Sequence, residues 1–445
     1  MSYYCVELPY QSDATRYYAA LADLPWAVWL DSGGMARFDI LTAAPQQTLV
    51  LDEKTACNDP FALLRTALGE QAAPIADVPF AGGALGYWGY DLARCMMALP
   101  DIAQETGRLP DMAVGIYDWA IVLDHRQRTA RLVSHRRFAG TADLLPQILL
   151  RLQNQITLPI DTFRVHGRIV SNFTPAGYAS AFASVQDYLR AGDCYQINLA
   201  QRFSAKADGD AFGAYLALRR SSPAPYSAFL NLPQGRILCN SPERFVSVQN
   251  GTVKTEPVKG TRPRGSNAQQ DRLLADELRS HPKDRAENLM IVDLLRNDLG
   301  KNCVPGSVRV PKLFEVESFA NVHHLVSMVE GQLASGHDAL DVLRDCFPGG
   351  SVTGAPKLRA MQIIEQLEPH RRGVYCGAIG YAGFDGNMDS NIAIRTLVHD
   401  DDKIHCWAGG GIVADSDMAA EYQETLDKAS AMLELLQHYG GYYES

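Results

Sequence analysis

Apolar residues recur with helical spacing in several stretches of the chain, and the clearest stretch begins at Thr174-Pro175. Thr174 is a typical N-cap, Pro175 a typical first helical residue and Gly192 a typical helix end. One face of the intervening segment carries Tyr178, Phe182, Val185 and Leu189. This pattern predicts a helix that ends at Gly192. Similar patterns predict helices over 284–299, 356–367 and 417–438.

Alternating or continuous apolar runs between these segments predict strands. Residues 24–51 are predicted to form a strand over 26–30, a turn over 31–34 and a strand over 38–50, and residues 114–124 and 130–135 a hairpin. Further strands are predicted over 195–203, 375–384, 390–397 and 403–407. Gln196, Asn198 and Arg202 form a polar face opposite an apolar one, so their strand either meets water or lines a site. Long antiparallel-looking strand runs mixed with helices indicate the α+β class.

The length of 445 residues exceeds the ~250–300 residues of a single compact core, so we expect two regions. These are an N-terminal region over 1–155 and a catalytic region over 170–437. Periodic signal is poor over 154–170, which is therefore the predicted linker.

Composition and charge exclude several classes of protein and of binding partner. Apolar residues make up 47% and charged residues 21%, as in ordinary globular proteins. The net charge of −10 argues against a nucleic-acid partner but leaves room for an anionic small molecule. No apolar run reaches the ~18 residues of a membrane span, the first ten residues lack a signal-peptide pattern, and the nine cysteines are scattered. We therefore expect a cytoplasmic protein with reduced thiols and no membrane partner.

Acidic residues on two predicted helices are candidate metal ligands. Glu421, Glu424 and Lys428 share one helix face within about 60°. This spacing alone is more typical of a helix face exposed to solvent. The two carboxylates could also bind a divalent cation, with the lysine ammonium beside them binding an anion. Glu287 lies one turn before the apolar Ile291. It is either a further ligand or a helix-start glutamate stabilised by the helix dipole.

Four other features are candidates for binding or chemistry, although each is typical of ordinary turns when taken alone. The glycine-rich segments 349–357 and 408–411 are predicted turns whose N–H groups suit an anion, and the first is not a phosphate loop. Lys259, at the end of a short strand, is a candidate nucleophile if its site is dry. Glu243 lies in a predicted turn. Cys194 lacks the following glycine of a nucleophile elbow, so we find no glutaminase nucleophile.

Five segments, taken in order, resemble the chorismate-utilising enzymes. They are 286–298 (AENLMIVDLLRND), 322–327 (VHHLVS), 347–357 (FPGGSVTGAPK), 394–396 (IRT) and 409–413 (GGGIV). This family includes the large subunits of anthranilate synthase and aminodeoxychorismate synthase and the isochorismate and salicylate synthases. The likeness runs over nearly the whole chain. It implies a sandwich of large, mostly antiparallel sheets with helices packed outside.

The resemblance also implies how a substrate would be held. Glu287 and Glu424, with Glu421 beside them, would hold Mg²⁺, which would bind the ring carboxylate of chorismate. The enolpyruvyl carboxylate would be bound by Arg395, Tyr375 and the N–H groups of Gly409, Gly410 and Gly411. The remaining substrate contacts would come from Gly260, Thr261 and Lys428. Such a site suits a dianion, because a cation, an arginine and aimed N–H groups offset its desolvation.

Two positions indicate the branch of the family. Lys259 resembles the lysine nucleophile of the aminodeoxychorismate branch, whereas the anthranilate branch has a small residue there. Gln196 stands where the water-adding branches carry a general-base lysine. Glu243 would protonate the departing C4 hydroxyl, Lys259 would add at C2, and ammonia would then attack C4 and expel the lysine. This chemistry requires Glu243 to be protonated and Lys259 to be neutral.

The reaction implied is conversion of chorismate and ammonia to 4-amino-4-deoxychorismate, on the way to 4-aminobenzoate and folate. Since the chain shows no glutaminase machinery, ammonia would come from a glutamine amidotransferase partner. One alternative is the large subunit of anthranilate synthase, against which Lys259 argues. A second is a non-catalytic, amino-acid-binding regulatory subunit, which would not need the complete set of acidic and basic residues.

The resemblance further implies a tryptophan pocket in the N-terminal part. The matching positions are Ser32, Met35, Ala36, Arg37, Phe38, Pro225, Tyr226 and Ser227. The loop at 33–35 is short, and a packed sheet core is the alternative to a bound amino acid.

Overall fold

The computed structural model describes residues 3–52, 59–105, 107–154, 161–318 and 322–443. Within them lie ten α-helices: α1 (Thr15–Ala19), α2 (Pro60–Leu68), α3 (Ala139–Gln153), α4 (Pro175–Arg190), α5 (Ala211–Ser221), α6 (Ala268–Ser280), α7 (Pro282–Gly300), α8 (Ala339–Cys346), α9 (Lys357–Leu367) and α10 (Met418–His438). None of these described helices combines the length and the apolar character needed to cross a membrane.

The strands of the first part of the chain are β1 (Tyr4–Leu8), β2 (Ala27–Asp31), β3 (Phe38–Thr42), β4 (Gln47–Leu51), β5 (Gly83–Trp88), β6 (Met112–Tyr117), β7 (Ala120–Asp124), β8 (Thr129–Ser134) and β9 (Arg164–Ser171). The later strands are β10 (Gln196–Asp208), β11 (Tyr226–Leu232), β12 (Gly235–Ser241), β13 (Arg244–Gln249), β14 (Thr252–Thr255), β15 (Val258–Pro263), β16 (Arg309–Ser318), β17 (Val322–Gln332), β18 (Gly354–Ala355), β19 (Ala378–Gly383), β20 (Met388–Ile392), β21 (Thr396–Asp400) and β22 (Lys403–Ile412).

These strands form two large sheets, and every pairing between them is antiparallel. The first sheet has the order β1-β8-β7-β3-β2-β11-β12-β21-β22-β10-β18, with β9 also paired to β10. The second has the order β15-β17-β14-β13-β20-β19-β5-β6-β4, with β16 also paired to β17. Strands from both predicted regions take part in each sheet, and the division at 155–170 stays a prediction.

The main hydrophobic core lies between the sheets. Residues on one face of the first sheet, such as Val28 and Leu230, pack with Trp88 and Ile379 of the second. The opposite face of the first sheet is covered by helices α1, α3, α5 and α10, where Trp29 belongs to a separate buried cluster. Because neighbouring strand residues point to opposite faces, β2 can contribute to both cores. The predicted α+β sandwich with outer helices is therefore confirmed.

The predicted helices agree closely with the structure. Thr174 accepts a hydrogen bond from the Gly177 N–H and so caps α4, and Asp417 caps α10 through the Ala420 N–H. These local contacts are the N-caps that the sequence pattern indicates. Helix α6, over Ala268–Ser280, was not predicted.

Five strand predictions need correction. Residues 164–170, placed in the linker, form β9, whose register partners lie on β10; residues 155–160 lie outside the described part. The predicted strands over 38–50, 114–124 and 390–397 are each two strands, which belong to different sheets. Residues 409–411 are not a turn but part of β22, because β10 pairs with that strand as far as Ile412. The absence of side chains here lets β22 approach β10 closely, since a Cβ on Gly409 would lie 2.6 Å from the Leu199 oxygen.

Candidate active site

A cavity of about 550 Å³ lies where strands of both sheets meet helices α7 and α10. Strands β10 and β22 belong to the first sheet and β15 and β17 to the second, so the cavity joins residues far apart in sequence. Among the predicted site residues, those lining it are Glu243, Lys259, Gly260, Thr261, Glu287, Tyr375, Arg395, Gly409, Gly411, Glu424 and Lys428. Glu421 and Gly410 lie behind its wall.

Lys259 and Thr261 lie on β15, on either side of a bulge at Gly260. Lys259 is opposite Leu325 of β17, and the register shifts before Thr261. Gly260 has a φ of +70°, and a Cβ there would lie 2.7 Å from the Leu278 side chain. Only glycine adopts this left-handed conformation without strain. The bulge re-aims the strand so that residues 259–261 all line the cavity.

Glu243 lies in the short connection between β12 and β13, and its side chain enters the same cavity. The residue is only 5% exposed. The Ser351 hydroxyl donates to its Oε1 at 2.9 Å. Burial raises the pKa of Glu243, and the nearby Lys259 charge offsets this only in part. The environment therefore shifts Glu243 toward the protonated carboxyl, which is the form that a general acid requires.

The three predicted metal ligands lie on α7 and α10, but a lysine separates two of them. Lys283 Nζ lies 3.3 Å from Glu421 Oε1 and 3.9 Å from Glu287 Oε1. Glu424 Oε1 forms an ion pair with Lys428 at 2.7 Å. Burial raises the pKa of Glu287, whereas for Glu424 the adjacent Lys428 outweighs burial and holds the pKa below its usual range.

Over the ranges that the structure describes, no three acidic, histidine or cysteine side chains converge tightly enough to hold a metal ion as they stand. The chemistry of the donors nevertheless suits a hard divalent cation, since all three are carboxylates. Glu421 and Glu424 also approach each other over Gly410: a Cβ built there would lie 3.0 Å from Glu421 Oε2 and 3.5 Å from Glu424 Oε1. We conclude that the residues fit Mg²⁺ if Lys283 withdraws.

The opposite part of the cavity carries basic and polar groups whose chemistry suits an anion. Arg395 lies in the connection between β20 and β21 with a φ of +48°, and burial lowers its pKa. Tyr375 is buried and stacks on Trp407, with ring centroids 6.1 Å apart. Lys428 Nζ donates to the Gly409 oxygen at 3.0 Å. Since the N–H and C=O of a strand residue point to the same side, the Gly409 N–H faces Lys428 and the cavity.

His324 is a cavity residue to which the sequence assigned no role. Its Nδ1 lies 2.9 Å from Thr261 Oγ1. Burial, helped by the Arg395 charge, lowers its pKa to about 4, so the imidazole is neutral near pH 7. The motif at 322–327 singled out the segment, and strand alternation would have separated His324 from His323, which instead contacts Asp271. Ser351 and Trp407 were also missed.

Gln196 lies directly behind the cavity wall. It is fully buried, and in the described part of the chain neither atom of its side-chain amide has a hydrogen-bond partner. A Cβ on Gly411 would lie 2.4 Å from Gln196 Nε2. Because Gly411 has no side chain, the Gln196 amide can lie next to the backbone that lines the cavity at this point.

A second cavity, of about 300 Å³, lies between the sheets near the predicted tryptophan pocket. Of the eight predicted residues, those lining it are Ala36, Arg37, Phe38, Pro225, Tyr226 and Ser227. Ser32 and Met35 do not, because they close a turn in which the Met35 N–H donates to the Ser32 oxygen at 2.9 Å. The walls also carry Asp31 and Asp389.

Comparisons with known proteins identify the family of this chain. The sequence model of the family described as "chorismate binding enzyme" matches residues 26–434. Aminodeoxychorismate synthase component 1 of Salmonella typhimurium is 47% identical, over 97% of this chain and 98% of that protein. Anthranilate synthase component 1 of Streptomyces coelicolor is 42% identical, over 90% and 81%. The crystal structure of anthranilate synthase component I from Streptococcus pneumoniae is 35% identical and superposes with a TM-score of 0.80, over 89% and 92%.

The chain therefore belongs to the chorismate-binding enzymes. Its fold is that of anthranilate synthase component I, and the similarity to aminodeoxychorismate synthase component 1 extends over almost the full length of both chains.

Proposed function

We propose that this protein converts chorismate and ammonia to 4-amino-4-deoxychorismate, as the aminating subunit in 4-aminobenzoate and folate synthesis. The observation that carries the proposal is the placement of Lys259 and Glu243 in one cavity, close enough for the lysine charge to affect the carboxyl. A lysine nucleophile and a buried acid are the two groups that displacement of an allylic hydroxyl needs. The name and full-length similarity of the Salmonella relative support the same reaction.

The cavity would orient chorismate through its two carboxylates. Arg395, Tyr375 and the Gly409 N–H would bind the enolpyruvyl carboxylate, and Lys428 would complete that end. Glu287, Glu421 and Glu424 would hold Mg²⁺, which supplies positive charge for the ring carboxylate when it is bound. The C4 hydroxyl would then face Glu243, and C2 would face Lys259.

The proposed reaction proceeds in two displacements. The neutral Lys259 amine bonds to C2 while the C4–oxygen bond breaks, and Glu243 gives its proton to the departing hydroxyl, which leaves as water. The proton released from the new secondary amine returns to the Glu243 carboxylate. Ammonia then bonds to C4 while the C2–lysine bond breaks, and the double bonds return to their first positions. Glu243 gives its proton to the departing lysine nitrogen and takes up the proton that the new C4 ammonium releases. The covalent step divides one slow displacement into two easier ones.

Ammonia would be supplied by a separate glutamine amidotransferase. The sequence shows no glutaminase nucleophile: Cys194 lacks the glycine of a nucleophile elbow, and it is buried with a pKa raised by burial to about 11. A thiol in that state is a poor nucleophile. The designation "component 1" of the Salmonella relative supports a two-component enzyme.

Product analysis tests the proposal directly. Purified protein would be incubated with chorismate, Mg²⁺ and ammonium, and the products separated by chromatography and identified by mass. We expect 4-amino-4-deoxychorismate, with glutamine used only after an amidotransferase is added. Anthranilate and pyruvate as the main products would instead assign the chain to the anthranilate branch, as in the Streptomyces relative. Absence of turnover, with chorismate or an amino acid still bound, would support the regulatory alternative.

We also propose that the second cavity binds L-tryptophan. Six of its lining residues match the predicted pocket. Its acidic side chains, Asp31 and Asp389, are paired with Arg219 and Arg244, so an amino group would have to share them. Tryptophan should appear by mass spectrometry after acid precipitation of the purified protein, and added tryptophan should raise the unfolding temperature. A protein that releases none and whose unfolding temperature does not change would refute this binding.

A further inference from the structure

Lys283 is placed where it supplies the charge that balances two buried carboxylates. It lies in the first turn of α7, four residues before Glu287, and lines the active-site cavity. Its ammonium contacts Glu421 of α10 at 3.3 Å and Glu287 at 3.9 Å. The carboxylate side chains are only 2% and 16% exposed, whereas the lysine side chain is 47% exposed.

This arrangement combines two fixed anions with one movable cation. An uncompensated carboxylate buried in protein is strongly unfavourable, so Glu421 needs a positive partner. Lysine is a compact charge on a flexible four-carbon stem, and the exposed stem of Lys283 can carry the ammonium into water. Glu421 cannot move in this way, because its side chain is buried and the Ser416 hydroxyl donates to its Oε1 at 2.6 Å.

A divalent cation would need the oxygen atoms that Lys283 now contacts. Two positive charges about 4 Å apart repel strongly where water is scarce. The ammonium and the metal ion therefore exclude each other from the space between Glu287 and Glu421.

We propose that Lys283 is a built-in counter-ion that occupies the cation position and moves out to solvent when Mg²⁺ binds. This rests on the proposed role of Glu287, Glu421 and Glu424 as metal ligands. Such a lysine keeps the buried carboxylates compensated in the metal-free protein. It also weakens Mg²⁺ binding, because the ion must displace a partner that is already present.

The first test measures the accessibility of the lysine itself. Metal-free wild-type protein would be treated briefly with an amine-acylating reagent, with and without saturating MgCl₂, and the labelled lysines quantified by peptide mass spectrometry. Lys301 is a matched control: it follows the other end of α7, is also 47% exposed, and contacts Asp298 at 3.0 Å. We expect Mg²⁺ to increase Lys283 labelling severalfold and to leave Lys301 unchanged. Labelling of Lys283 that stays constant or falls would overturn the proposal.

The second test measures Mg²⁺ affinity by calorimetry in wild type, Lys283→Met and Lys301→Met. Loss of the competing charge should tighten Mg²⁺ binding about tenfold in Lys283→Met, while Lys301→Met should match wild type. Equal or weaker binding by Lys283→Met would overturn the proposal, and the labelling test remains decisive if that variant does not fold. If no protein takes up Mg²⁺, the metal ligands and this proposal both fail. Amination of chorismate by the same wild-type preparation would still support the Lys259 chemistry.

Discussion

Replacement of Glu243 by glutamine removes a proton donor and leaves the shape of the site almost unchanged. The amide oxygen can still accept the hydrogen bond that Ser351 donates at 2.9 Å. The side chain lies in a closed environment at 5% exposure, so a substituent of equal size is needed to avoid a cavity. Glutamine cannot protonate a leaving hydroxyl. Any loss of turnover in Glu243→Gln therefore reports on the acid and not on packing.

The expected loss follows from the chemistry of the leaving group. A positioned general acid contributes about 10²–10⁴-fold in rate, equivalent to roughly 2.7–5.4 kcal/mol of activation free energy. Hydroxide is a poor leaving group, so we expect kcat of Glu243→Gln to fall by at least about 10²-fold. KM for chorismate should change much less, because Glu243 acts mainly in the transition state.

The raised pKa of Glu243 also predicts a change in stability. Above the ordinary value near 4.5, the unfolded chain loses this proton while the folded protein still holds it. The contribution of Glu243 to the free energy of unfolding therefore falls as pH rises through that window, by about 1.4 kcal/mol for each unit of raised pKa. Glutamine does not titrate. The unfolding temperature of Glu243→Gln relative to wild type should thus increase between pH 5 and pH 8.

The assay is ammonium-dependent turnover at saturating chorismate and Mg²⁺, with thermal unfolding of the same preparations. Glu243→Asp is the control, because it keeps an acid with a shorter reach and should retain more activity than Glu243→Gln. A Glu243→Gln protein with kcat within about fivefold of wild type would remove Glu243 from the role of acid, since a general acid is worth far more. A stability difference that shrinks with rising pH would contradict the assigned direction of the pKa.

Three further predictions concern other walls of the cavity. Wild-type protein given chorismate and Mg²⁺ without ammonia should gain a covalent adduct on Lys259, seen in intact and peptide mass spectra. Lys259→Ala should lose the adduct and most of the activity. No adduct, or an adduct on Lys428, would contradict the assignment of the nucleophile. Glu287→Ala or Glu424→Ala should abolish Mg²⁺-dependent turnover while circular dichroism stays native; near-wild-type turnover by either would refute its role as ligand. Gly260→Ala should lower the free energy of unfolding by about 2–4 kcal/mol, because a left-handed alanine costs roughly 1–2 kcal/mol and its contact with the Leu278 side chain adds more. An unchanged unfolding temperature would show that the bulge adapts to the new side chain.

The helices of this fold could be predicted because their signals are local. Thr174 and Asp417 cap α4 and α10 through N–H groups only three residues away. Strand boundaries were less predictable, because they depend on partners far away in sequence. β9 has weak alternation of its own and is a strand because β10 pairs with it, and residues 409–411 continue β22 for the same reason. Glycine there indicates close approach of chains as readily as a turn.

The candidate site shows the same division between local and distant information. Helical geometry alone placed Glu421, Glu424 and Lys428 on one face, and the structure agrees that the latter two line the cavity. Lys283 escaped prediction because its shortest ion pair joins it to Glu421, 138 residues away. Ser351 escaped for a similar reason, since its contact with Glu243 spans 108 residues. Family motifs could name such segments but could not assign their side chains to particular partners.

The charged residues that line the cavity bear on how Glu243 and Lys259 can both be uncharged in one site. The lining carries five basic residues, Lys259, Arg262, Lys283, Arg395 and Lys428, and five acidic ones, Glu243, Asp284, Glu287, Glu424 and Asp427. Their formal charges cancel, and a dianionic substrate brings as much negative charge as a divalent cation brings positive charge. The first displacement requires an uncharged Glu243 and an uncharged Lys259, and these two states together remove one negative and one positive charge from the lining. Burial shifts Glu243 toward its uncharged form. On the proposed mechanism, the reactive form of these two groups therefore carries the same net charge as their ionised form.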